Sequence, residues 1–331
     1  MQKRNLLIII LFLFTGTIGW SAERIWQNFD FDWQFRLGEQ GIYKPVQLPH
    51  DWSIELDFNE EVGPESGYLP GGIGYYKKDF NVPASYKGKR VSIVFDGIYH
   101  KATIYLNGQE VDYHRYGYTS FETDLTPYLK YGGKNTLSVK VDHSEKSRWY
   151  TGSGIYRHVW MQVTNPIHVK MWGTYITTPR VSAESAIVSC VTTVANTSAL
   201  TGEIEIMQRI VDAQGNLLEI NGKQYAARTE VVMPENGTKD IAQSFTLSNP
   251  QLWNLEKPYL YRLETILKQK GKVIDRYTTR FGVRTIGFDK DKGFFLNGKN
   301  IKMKGACLHQ DAGCLGVAVP NRSYERRLTI L

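Results

Sequence analysis

Apolar and polar residues alternate in short runs along most of this chain. Val91, Ile93 and Phe95 alternate with Ser92, Val94 and Asp96; Ala102, Ile104 and Leu106 with Thr103 and Tyr105; Leu137, Val139 and Val141 with Ser138 and Lys140. A period of two puts successive side chains on opposite faces, so each run predicts a half-buried β-strand. Asn107-Gly108, between Leu106 and Val111, predicts a hairpin turn, because both residues tolerate positive φ. No helical period is sustained between residues 23 and 320. Many short strands separated by turns predict β-sandwiches.

The pattern resets near Asn165-Pro166 and reads as strands again over 187–194, 204–211, 243–247, 259–267 and 277–283. That stretch has the size of one immunoglobulin-like sandwich of ~100 residues, without the Cys–Trp–Cys framework of antibody domains. After Arg284 the character changes. Residues 294–299 predict a hairpin on Asn297-Gly298, and residues 301–306 a further strand. A polar loop with His309, Gln310 and Asp311 follows. Tyr324, Leu328 and Leu331 then share one face of a starting helix. Strand, loop and helix in that order open an α/β domain.

A length of 331 residues agrees with two or three domains. A hydrophobic share of 42% against 22% charged is globular rather than disordered. Aromatics reach 13%, which suits β-structure and also suits surfaces that stack on sugar rings. The net charge of +7 comes from Lys and Arg scattered singly, without a basic run, so the charge does not point to nucleic acid. Lys3 and Arg4, the apolar run 6–14 and the small residues around Ser21 predict a cleaved signal peptide over 1–22. Nine apolar residues are too few to span a bilayer. The expectation is an exported, bacterial-type protein, periplasmic or extracellular, with no membrane attachment after cleavage. Of three cysteines, Cys307 and Cys314 are spaced for no metal site, and free thiols are expected.

Phosphate loops, dinucleotide fingerprints and the common hydrolase and metalloprotease motifs are missing from the sequence. Glycoside hydrolysis needs two carboxylates flanking one bond, and no spacing here singles out such a pair. His309 stands out among seven His. It follows the last predicted strand at its carboxyl end, where barrel enzymes place their chemistry.

Several segments together resemble family 2 glycoside hydrolases of the β-galactosidase type. Leu48-Pro49-His50-Asp51-Trp52 is similar to the LPHDW motif of their amino-terminal sugar-binding domain. Gly72-Ile73-Gly74-Tyr75-Tyr76, Phe95-Asp96-Gly97-Ile98 and Ser153-Gly154-Ile155-Tyr156-Arg157 resemble later segments of it. Phe281-Gly282-Val283-Arg284 resembles the junction into the barrel, and residues 294–313 the first barrel hairpin and strand. The ordered set covers the whole of the chain after residue 22.

This resemblance implies a mostly β protein: a jelly-roll sugar-binding sandwich over 23–165, an immunoglobulin-like sandwich over 166–283, and the first strand and helix of a truncated (β/α)₈ barrel over 284–331. It implies retaining hydrolysis of terminal β-linked sugars, β-galactosides first, with β-glucuronides and β-mannosides as alternatives. The acid/base and nucleophile Glu of the family are expected beyond Leu331, so no catalytic residue is assigned and the chain alone is expected to be inactive. His309 matches the family's strand-one His that holds the sugar. Asp311 lies beside it, and Arg148 and Trp149 lie on a loop that approaches the barrel mouth in relatives. Some relatives bind sodium through an Asp on that loop. Ser147 stands there here, so no metal ligand is assigned, although a Mg or Na ion in the complete enzyme is compatible with the resemblance. No organic cofactor is implied, and a homo-oligomer is allowed. The rival reading is a non-catalytic carbohydrate-binding sandwich protein.

Overall fold

The computed structural model describes residues 23–145, 147–220, 223–224 and 226–331; the predicted signal peptide lies outside them. Two antiparallel sheets enclose the first core. The larger has six strands in the spatial order Lys44–Val46, Trp33–Leu37, Gly72–Val82, Gly133–His143, Ala102–Leu106, Gln109–His114. The smaller runs Ile25–Asn28, Val159–Thr164, Arg90–Phe95, Phe121–Asp124. Ile104, Leu106, Leu137 and Val139 from one sheet meet Ile93, Phe95 and Met161 from the other. Asn107 and Gly108 take φ of 53° and 86°, the two positive values the predicted turn requires.

One strand departs from the alternation. Ser92 and Val94 are as buried as Val91, Ile93 and Phe95. The smaller sheet is covered on its outer side as well. Arg90 pairs with Glu122 at 2.6 Å, Ser92 Oγ donates to the same carboxylate at 2.7 Å, and His168 of the next domain lies beside them.

The second sandwich packs the sheet Ile167–Val181, Ser185–Asn196, Gly237–Ser248 on the sheet Ala226–Met233, Gly202–Val211, Tyr261–Gln269, Lys272–Phe281. Its interior includes Val188, Cys190, Ile210, Phe245, Leu263, Ile206 and Leu267. Arg24, just before the first sandwich's opening strand, reaches across to Asp275 of the second.

A small sheet follows: Ile286–Asp289, Gly293–Leu296, Lys299–Asn300, with the predicted turn at Asn297-Gly298. Residues 301–306 correct the sequence reading. They carry no strand pairing and are mostly exposed; Ile301 N still donates to Phe294 O at 2.9 Å, and among the described residues no strand pairs with the rest of the segment. The helix forms as Asn321–Ile330. Leu328 and Leu331 on its apolar face remain exposed, since among the described residues no sheet lies beneath them. Cys190, Cys307 and Cys314 are free thiols.

Candidate functional site

The geometry builds outward from Asp51. It caps the one-turn helix Trp52–Glu55, its Oδ1 accepting from Ser53 N at 3.1 Å. The same oxygen accepts from Ser153 N at 2.9 Å, and Oδ2 accepts from Tyr150 OH at 2.6 Å. Burial and the Asp51 charge push the Tyr150 phenol far up, so it stays a donor. Beside it, His50 is locked between Tyr76 OH at 2.7 Å and Glu55 Oε1 at 3.1 Å. Burial lowers its pKa and Glu55 works against that. The carboxylate needs a donor, which places the imidazole proton on Nε2.

The loop 148–154 hangs from these contacts. His143 Nδ1, Ser153 Oγ and Ser53 Oγ are spaced by 2.6 Å each, and Ser53 Oγ donates to Pro70 O at 2.8 Å. The terminal carbonyl only accepts, so the proton order runs from His143 Nδ1–H to Ser153, to Ser53, to Pro70. Thr151 Oγ1 stands 3.4 Å from His143 Nε2. Tyr99 and His100 rings lie 5.0 and 5.6 Å from the His143 ring. Burial first, then His100, lowers the His143 pKa to about 4, so the ring is neutral at pH 7.

This depressed pKa has a consequence for stability. Between about pH 6.5 and 4 the unfolded chain holds a proton that folded His143 does not. Stability contributed by the neutral ring is therefore full above that window and lost as pH falls through it, by about 1.4 kcal/mol per unit and about 3 kcal/mol in all. His143→Asn should flatten this part of the profile. Urea midpoints at pH 7 and 4.5 check it: the wild type is expected to lose more stability on acidification than the variant, and equal losses would contradict the assignment.

Two cavities flank the loop. One of about 300 Å³ is lined by Ser53, Pro70, His143, Glu145, Trp149 and Tyr150. The other, about 510 Å³, is lined by Asp96, Tyr118, Tyr156, Arg157, Gln310 and Tyr324. Between them Trp149 Nε1 donates to Tyr118 OH at 3.3 Å, and Tyr118 and Gln310 line the second cavity together. A cavity of about 550 Å³ on the second sandwich lies far from these aromatics; Glu205 on its wall is paired with Lys268 at 3.2 Å.

The four site residues expected from sequence divide. Trp149 and Asp311 come together across Tyr118, Gln310 and Tyr150: Asp311 is half-buried, near enough to Tyr150 to raise its pKa, and its carbonyl accepts from Arg327 Nη2 at 2.8 Å. Arg148 is exposed beside Trp149, and His309 is exposed on the unpaired segment. Asp51, His143, Tyr118 and Gln310 escaped the sequence reading as site residues. Asp51 was visible only as one letter of a motif. Among the described residues no group of three or more His, Cys, Asp or Glu side chains is arranged to hold a metal.

Aromatic rings and hydrogen-bonding side chains line both clefts. Comparison with known proteins gives the family. Residues 30–166 match the family model described as glycosyl hydrolases family 2, sugar binding domain, and residues 167–284 the model glycosyl hydrolases family 2. The chain belongs to glycosyl hydrolases family 2. It is 41% identical over 320 residues to beta-galactosidase BoGH2A of Bacteroides ovatus, covering 92% of this chain and 37% of that protein. It is 30% identical over 322 residues to a beta-glucuronidase of Formosa agariphila, covering 86% of this chain and 32% of that one. A solved family 2 member from Bacteroides cellulosilyticus superposes with a TM-score of 0.85 at 37% identity, covering 92% of this chain and 41% of its own. The chain thus spans well under half the length of these relatives.

Proposed function

We propose that this chain is the sugar-binding front of an exported, retaining β-glycosidase that acts on terminal β-galactosides in oligo- or polysaccharides. The supporting observation is the 41% identity to a beta-galactosidase over 92% of this chain. In such an enzyme one carboxylic acid protonates the leaving oxygen and a second, ~5 Å away, forms the glycosyl-enzyme. We place both on residues after Leu331, so the 331-residue chain alone is inactive. Glucuronides are the second reading, favoured by the 30% identity to a beta-glucuronidase. Turnover of nitrophenyl β-galactoside and nitrophenyl β-glucuronide by the protein from the complete reading frame distinguishes them. A preference for the glucuronide overturns the first reading. Turnover of either by the purified 331-residue chain overturns its inactivity.

His309 is exposed and free to meet a ligand. In the complete enzyme His309→Ala is expected to lower kcat/KM about 100-fold, the scale of one lost transition-state hydrogen bond, with little change in Tm. Unchanged kinetics would leave His309 without a role in the reaction.

A further inference from the structure

Asp51 is 1% exposed, and its two oxygens receive four donors. Three come from the first sandwich: Ser53 N, Ser153 N and Tyr150 OH. The fourth is Val317 N at 2.9 Å, 266 residues further along the chain. Gly316, Val317 and Val319 are buried, while the residues around them are half-buried or exposed. Two glycines let the chains close on the carboxylate from opposite sides. Gly316 has φ of 54°, and a Cβ there would overlap Asp51 Oδ2 and stand 2.7 Å from Ile54 Cγ2. Gly152 has φ of 65°, and its Cβ would overlap Val317 Cγ2 and stand 2.6 Å from Asp51 Oδ2.

The docked stretch is also held at its other end. Ala312 N donates to Gly316 O at 2.9 Å, Tyr324 OH to Gln310 O at 2.8 Å, and Arg327 Nη2 to Asp311 O at 2.8 Å. One carboxylate therefore fixes the loop 148–154, which carries Trp149, and the segment 310–317, which carries Gln310 and Asp311.

We infer that Asp51 is a positioning residue that holds the segment 310–317 against the loop 148–154 and so fixes the Gln310 wall of the cleft that Tyr118 and Tyr156 also line. Its importance for a reaction rests on the glycosidase reading; the latch itself does not. The chemistry makes the carboxylate specific. Val317 N–H can only donate. An Asn at 51 can keep its oxygen toward Ser53 N and Ser153 N, but then turns an NH₂ group toward Val317 N–H, donor against donor. Bonds to an ionised acceptor are also the stronger ones.

Amide hydrogen exchange on the 331-residue chain tests this with Asp51→Asn and Gly316→Ala. The second variant strikes the latch from the tail side, leaving every sandwich residue in place. Both are expected to speed exchange over residues 312–319 at least ten-fold while the strands Gly72–Val82 and Gly133–His143 keep their protection. Both should also move the Val317 amide proton upfield, the signature of a lost bond to a carboxylate, which a general packing role would not single out. Unchanged exchange at 312–319 in both variants would overturn the inference. So would loss of protection in the sandwich strands with Asp51→Asn while Gly316→Ala leaves 312–319 protected. Neither result depends on glycosidase activity, so failure of the latch and failure of the functional reading remain separate outcomes.

Discussion

Asp275→Ala is expected to destabilise the protein by about 3–5 kcal/mol, the cost of leaving one member of a buried ion pair alone. Asp275 has no exposed surface on its side chain and Arg24 only 3%. The carboxylate accepts from Arg24 Nε at 3.2 Å, Arg24 Nη2 at 2.9 Å and Val169 N at 2.8 Å. The guanidinium also donates to Val169 O and lies 4.7 Å from the Tyr277 ring centre. Arg24 leads into the first sandwich, while Asp275 and Tyr277 belong to the strand Lys272–Phe281 of the second. Removing the carboxylate strands a cation and a backbone N–H where water does not reach. Urea unfolding at pH 7 measures the loss, and Arg24→Met added to Asp275→Ala should recover part of it. A loss under about 1 kcal/mol would show that the pair is not the bolt between the sandwiches.

Trp52→Ala should cost about 3–5 kcal/mol, the range for deleting a large buried aromatic. Trp52 is 1% exposed, stacks on Phe35 with ring centres 5.3 Å apart, and donates from Nε1 to Gly71 O at 3.1 Å. Its fit is tight enough that a Cβ on Gly74 would stand 2.6 Å from the indole. The vacated space lies under the turn that Asp51 caps, so the candidate site should loosen with it. Trp52→Phe should cost less, because the stacking face survives. Equal losses in the two variants would mean that the stacking face contributes little beside the indole's bond and bulk.

Much of this architecture was legible in the residues because its causes are local. Alternation marks strands wherever one face is buried, and Asn-Gly marks turns because few other pairs accept two positive φ values; both devices recur at Asn107-Gly108 and Asn297-Gly298. Two things were not legible for the same physical reason. Ser92 and Val94 are buried by cover from outside the strand, and no period within 90–95 reports what lies on top of a sheet. Residues 301–306 have a strand's sequence but form no strand pairing among the described residues, and pairing depends on the partner as much as on the segment. The site divides likewise. Trp149 and Asp311 could be named from their motif neighbourhoods, but that Tyr118 and Gln310 join them is a matter of tertiary contact. Asp51 could be read only as one letter of a motif; its bond to Val317, across 266 residues, could not be read at all.

We propose a retaining β-glycosidase built on these domains. The anomeric form of the first sugar released tests it most directly. Proton NMR should follow nitrophenyl β-galactoside during its first turnovers by the protein from the complete reading frame. The β-anomer of free galactose, appearing before mutarotation, is the predicted result. The α-anomer as first product, or no release of sugar at all, would contradict the account.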